Sequence, residues 1–248
     1  MSLHESIVSR SVYSAMASNR SLANITSTTL AKTGTSIPQI QRRATEAARN
    51  ASAATGASSS LTAPIDRMRD YALANTPPSQ RGAVLDAARK ASSHMEEVFA
   101  QKTSAGDSLE NIQNAAGEAI ASGVSNFSTR LQSFGPSIAE AATEIGNNYI
   151  PQARQAADTI SESSYRAASS SLSEQIVEIN NTLATDIQAQ NAEAQSGDGV
   201  NPTPDETNAM FTGKGVWAGV EDPVPEGINT TDVVYQDIKL YIEGVQVP

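Results

Sequence analysis

Apolar residues recur at helical spacing along most of this chain, and at strand spacing only near its end. The clearest stripe is Leu109, Ile112, Ala116, Ile120, Val124, Phe127, Leu131 and Phe134. Its steps alternate between three and four residues, which predicts one long amphipathic helix. Asp107-Ser-Leu-Glu110 ahead of it fits a capping box, and Gly135-Pro136 stops it. A second stripe begins at Ile138 and passes through Ala142, Ile145, Tyr149, Ala153, Ala156, Ile160, Ala167, Leu172, Ile176, Ile179, Leu183 and Ile187. It crosses Gly146-Asn-Asn148 and Pro151, which predict a kink in the helix without requiring its end. Serines occupy several would-be core positions between Ser161 and Ser173 and soften this stripe.

Shorter elements come first. Leu3, Ile7, Val8, Val12 and Met16 share a helical face, and Leu22, Ile25 and Leu30 continue it across a Thr/Ser run of low helix propensity. Gly34 to Pro38 reads as a break, with Pro38 in the first turn of an alanine-rich basic helix over residues 39–54. Gly56 to Ser60 reads as a flexible connector. A short helix over residues 64–74 places Ile65, Met68 and Ala72 on one side. After Pro77-Pro78, Ser79 is the expected cap of a helix carrying Val84, Ala88, Ala91, Met95, Val98 and Phe99.

Beyond Ala194 the pattern changes. Repeated glycine and proline from Gly197 to Gly227 forbid long regular elements, so residues 195–231 read as an extended arm. Trp217, the only tryptophan, and nearby Phe211 are candidate anchors for that arm, either in a neighbour's groove or on its own bundle. Ile238, Leu240 and Ile242 then alternate with Lys239, Tyr241 and Glu243, the period of a half-buried strand. Glu243-Gly244 reads as a turn, and Val245 opens a second strand. A lone hairpin is marginal in water, so this one needs further strands. They come from another subunit if Pro248 ends the protein, or from a continuation if it does not.

The expected fold class is therefore mainly α. Long amphipathic helices form a bundle or coiled coil, followed by a Gly/Pro-rich arm and a short C-terminal β-hairpin. Four segments follow: a region of short helices over 1–103, a long helical hairpin over 104–194, the arm over 195–231 and the hairpin over 232–248. Residues 1–103 carry a net charge of +5 and residues 104–248 a net charge of −15. This split suits head-to-tail contacts between copies, and it also fits plain solvated helix faces. The net acidity argues against nucleic acid as a main partner.

Composition limits the core. Aromatic residues are 4% of the chain, and much of its 39% hydrophobic content is alanine, which buries little area per residue. Packing against other copies is the natural remedy, and Leu109, Ile112, Ile120, Phe127 and Leu131 are the helical positions expected to serve it. The chain has no cysteine. His4 and His94 have no partner at metal-ligand spacing and read as surface residues. Gly213-Lys-Gly215 lacks the rest of a phosphate loop, and no nucleophile elbow is present. Arg42, Arg43 and Arg49 form a small basic patch. No signal peptide or membrane-length apolar run is evident. No catalytic, cofactor or metal site is expected.

The segment Asp237-Ile-Lys-Leu-Tyr-Ile-Glu-Gly-Val-Gln-Val-Pro248 resembles the opening strand-turn-strand of β-domains in structural proteins of tailed-phage virions, notably tail and baseplate hub components. The Ala/Ser/Asn/Gln-rich, cysteine-free helical body is similar in style to phage tail and internal virion proteins. The resemblance covers about a dozen residues and implies a non-enzymatic assembly role in the virion. It also implies a homo-oligomer, as a trimer or higher ring, with other virion proteins as partners. Two alternatives stay open: an internal or ejection protein whose helices form a conduit for DNA and so meet a membrane, and a cellular helical adaptor.

Overall fold

The computed structural model describes residues 2–196; the hairpin and the arm from residue 197 on lie outside these residues, while Gln195 and Ser196, read as the start of the arm, still belong to a helix. Among the described residues there are nine α-helices, so the mainly helical expectation holds. They are α1 (Leu3–Ser18), α2 (Arg20–Ala23), α3 (Ser27–Lys32), α4 (Ile37–Ala54), α5 (Ser58–Leu61), α6 (Ala63–Asn75), α7 (Arg81–Lys102), α8 (Leu109–Leu131) and α9 (Pro136–Ser196).

Local chemistry sets the helix starts. At α1 the Ser2 hydroxyl accepts from the Glu5 amide, and the Glu5 carboxylate accepts from the Ser2 amide at 3.1 Å. Asn19 and Thr26 cap α2 and α3. At α4, Gln39 Oε1 accepts from both the Ser36 amide and the Ser36 hydroxyl, and Pro38 sits in the first turn as expected. Three expectations change in detail. Gly56 to Ser60 is not a simple connector, because Ser58 opens the one-turn helix α5, whose Leu61 is buried. Ser79 does not cap α7, because it lies within a 3₁₀ turn, Pro78–Gln80, that leads into Arg81. The α8 cap is Ser108, whose hydroxyl accepts from the Asn111 amide, while Asp107 accepts from the Ser104 amide and closes the preceding loop. Gly106 in that loop has φ +90°, a conformation that favours glycine.

The helices pack as consecutive antiparallel neighbours. In α7 and α8, His94 meets Ser122 and Lys102 meets Glu118. In α8 and α9, Thr143 Oγ1 donates to Ser128 Oγ at 2.6 Å, Val124 faces Gly146, and Gly117 faces Arg154. At each step one number falls as the other rises. In α1 and α4, Gln41 donates to the Tyr13 hydroxyl and Ser52 meets His4, again antiparallel. Arg67 of α6 stacks over Tyr149 of α9, 5.4 Å from the ring centre.

One core joins α1, α4, α6, α7, α8 and α9. Phe99, Phe127, Ile7, Ile40, Ile112 and Leu172 are among its largest fully buried side chains. The expected segment boundary at 103/104 falls in the turn between α7 and α8, and residues on both sides of it enter this core. Alanines at 44, 48, 72, 91, 116, 119, 142 and 153 are also buried, and they let helix backbones approach closely. Helix α9 continues through Pro151. Its buried line runs through Ala139, Ala142, Ala153, Ala157, Ile160, Ser164, Ala168, Leu172 and Ile179. Ile138 and Ile145, read as core, are only half-buried.

Candidate interaction site

Of the positions expected to mediate association, Ile112, Ile120, Phe127 and Leu131 are completely buried inside this chain, and Leu109 is half-buried. Phe211, Trp217, Ile238, Leu240, Ile242 and Val245 lie outside the described residues. The α8 stripe is therefore brought together as the chain's own core.

A different surface stands out where α4 meets the later part of α9. Gln175 Nε2 donates to the Ile40 carbonyl at 3.4 Å, and Arg43 pairs with Glu178 at 2.9 Å. The two contacts share one register, so α4 and α9 run parallel here. The ion pair is exposed on both sides and contributes about 0.2–1 kcal/mol. Burial of Ile40, Leu172 and Ile179 beside it is the larger effect, at roughly 1.5–3 kcal/mol for each full side chain.

Within one turn of these contacts lie two uncovered apolar side chains. Val177 is 58% exposed and Ile37 is 39% exposed. After Ile179, no residue of α9 up to Asp186 is buried, and Leu183 is the only one even half-covered. Ile187 is 55% exposed. Charge is sorted along the same helices. Residues 167–196 of α9 carry Glu174, Glu178 and Asp186 together with Glu193, and no Lys or Arg. Helix α4 exposes Arg42 and Arg49. The sequence had shown the charge split and the Arg patch. It had not shown which apolar positions stay uncovered, since Val177 falls off the counted stripe and Ile37 precedes its helix.

Two open grooves lie along α8. One, of about 880 Å³, runs between α8 and the start of α9 and carries the carboxylates of Glu140 and Glu144. The other, of about 470 Å³, lies between α7 and α8 and carries His94, Ser122, Asn126 and Arg130. Both histidines, expected at the surface, are half-buried, and each hydrogen-bonds a serine hydroxyl: His4 with Ser52 at 3.2 Å and His94 with Ser122 at 2.9 Å. Among the described residues no carboxylate accepts from the other ring nitrogen of His94, so this pair lacks the third member that orients a base toward a serine. Asp86 on α7 is held low by Lys90 first and by Arg89 as well, despite some burial. Burial pushes the Glu96 carboxyl up, with Glu5 adding to the effect. Among the described residues no cluster of three or more His, Asp or Glu side chains has metal-binding geometry, and no helix is long and apolar enough to cross a membrane.

Compared with protein-family models, curated proteins and solved structures, the chain matches none.

Proposed function

We propose that this chain is a non-enzymatic assembly component of a tailed-phage virion, of the tail or baseplate kind, and that it self-associates along the α4–α9 seam. The observation that carries the association is the uncovered stretch of α9 around Val177 and beyond Ile179. A helix with little packed surface is marginal in water, so this stretch gains stability against a partner. Charge complementarity favours a second copy. The exposed Arg42, five residues after Ile37 on α4, is opposite in sign to the carboxylate of Glu174, three residues before Val177 on α9. The virion part of the reading rests on the resemblance of residues 237–248. In it, Ile238, Leu240, Ile242 and Val245 extend a neighbour's sheet, with Phe211 and Trp217 anchoring the arm.

Light scattering on the purified full chain tests the association. The expected mass is three or more times 26.0 kDa, falling as salt screens the charged partners. A monomer that stays monomeric over a hundredfold range of concentration, with a cooperative melt, overturns it. Locating the chain in a purified particle by electron microscopy tests the virion assignment.

A further inference from the structure

The groove between α7 and α8 is unusual in an acidic chain. Its lining is His94 from α7 with Ser122, Ser125, Asn126, Thr129 and Arg130 from α8. All six side chains are polar, two are basic types and none is a carboxylate. The chain as a whole carries 27 Asp and Glu against 17 Lys and Arg, and the segment supplying five of these residues is the acidic one. A carboxylate-free polar lining is therefore a local departure from the chain's own bias.

Some donors in it are already committed within α8, where Thr129 Oγ1 donates to the Ser125 carbonyl at 3.1 Å. Arg130 Nε donates to Asn126 Oδ1 at 2.7 Å, which draws the guanidinium back along α8 toward Ser122. Among the described residues Arg130 forms no ion pair, so its terminal nitrogens keep their donors free. Two nearby carboxylates are otherwise engaged. Asp86, two turns before His94 on α7, is taken by Arg89 and Lys90 of its own helix, and Glu118 is taken by Lys102. Glu97, one turn after His94, is exposed and lies outside the lining. On the α7 side, His94 Nε2 and Ser122 Oγ sit 2.9 Å apart. A ring N–H donated to Ser122 leaves the serine O–H free to donate outward, and a serine O–H donated to Nε2 places the ring's own N–H on Nδ1. In either case the pair can present a donor to an oxyanion. Planar guanidinium donors lining the same groove as a hydroxyl match the several acceptor oxygens of a phosphoryl group, and such charge-assisted bonds are the stronger kind.

We propose that this groove is an oxyanion site for a phosphoryl group, with Arg130 as the charged contact and the His94–Ser122 pair as the second donor. The ligand is inorganic phosphate or a small phosphate monoester.

Nuclear magnetic resonance on the isotope-labelled full chain tests this, with inorganic phosphate and phenyl phosphate titrated separately at constant ionic strength. Saturable shifts are expected at the Arg130 Nε–Hε, the His94 ring and the Ser122 amide. Arg130→Gln should raise the dissociation constant at least tenfold, while Lys32→Gln, remote and exposed, should leave it unchanged. Saturation by phosphate alone or by phenyl phosphate alone identifies the free ion or the monoester. Shifts that grow linearly with both probes, or equal dissociation constants in the native chain and Arg130→Gln, overturn the proposal. None of these readouts depends on whether the chain self-associates.

Discussion

The serines of α9 show how much a single hydroxyl decides. Ser161 and Ser164 are both fully buried. Ser161 donates back to the Asp158 carbonyl at 2.9 Å, whereas Ser164 Oγ has no partner among the described residues. A buried hydroxyl without a partner costs about 1–3 kcal/mol. Ser164→Ala should therefore stabilise the chain by about 1 kcal/mol and raise Tm by about 2–4 °C, read from thermal melts. A clear loss of stability would mean that the hydroxyl is satisfied after all. Asp158 gives a second case. Burial first, and Glu162 next, raise its carboxyl above its usual value, with Arg154 opposing. The folded chain then holds that proton more readily than the unfolded chain. The destabilisation is fully present above the raised value and vanishes as pH falls below the ordinary one. Asp158→Asn should thus stabilise at pH 7 by less than about 0.5 kcal/mol, since the group still meets solvent, with the gain shrinking toward pH 4 in parallel melts. The sequence made the soft serine stretch visible. It could not show which serine finds a carbonyl, because the neighbouring helix sets that rotamer.

At the scale of elements, two glycines fix how α8 approaches α7 and how α9 approaches α6 and α8. A Cβ on Gly123 would overlap Met95 Cγ and Sδ, and a Cβ on Gly146 would lie 2.5 Å from Met68 Sδ and 3.3 Å from Val124 Cγ1. Each glycine is the socket for a methionine on a neighbouring helix. Gly123→Ala and Gly146→Ala should each cost about 1–2 kcal/mol in denaturant unfolding, overpacking outweighing alanine's better helix propensity. Pairing Gly123→Ala with Met95→Ala should be less harmful than the sum of the two by at least about 1 kcal/mol. Additivity would show that the methionine moves aside freely. The periodic stripe around Leu109 to Leu131 made α8 legible. Gly146 instead reads in the sequence as a weak point next to Pro151. Tertiary contact reverses that reading, because a residue poor for helix propensity is the one that fits the close crossing.

For the whole molecule, a core thin in aromatics was legible from composition, and the structure meets it with closely packed alanine-rich helices. Which stripe pairs with which was not legible. Amphipathic faces of similar width are interchangeable in pattern, and only the fold selects α4 as the partner of residues 172–179 in α9. The leftover surface is tested by Val177→Glu combined with Ile37→Glu. This pair should leave the melt of the isolated chain nearly unchanged and weaken self-association at least tenfold in light scattering. An unchanged mass would place the contact elsewhere. The pairing also dictates an order of assembly during synthesis. The neighbours α7, α8 and α9 close over short loops, which is fast and entropically light. The Arg43–Glu178 contact instead joins residues 135 apart in the chain. Helix α4, made early, leaves the ribosome long before the turns of α9 that cover it exist. Until then Ile40 and Ala44 lack part of their lid, so the N-terminal third of a growing chain carries an open apolar face that a chaperone, or a neighbouring nascent copy, can reach first.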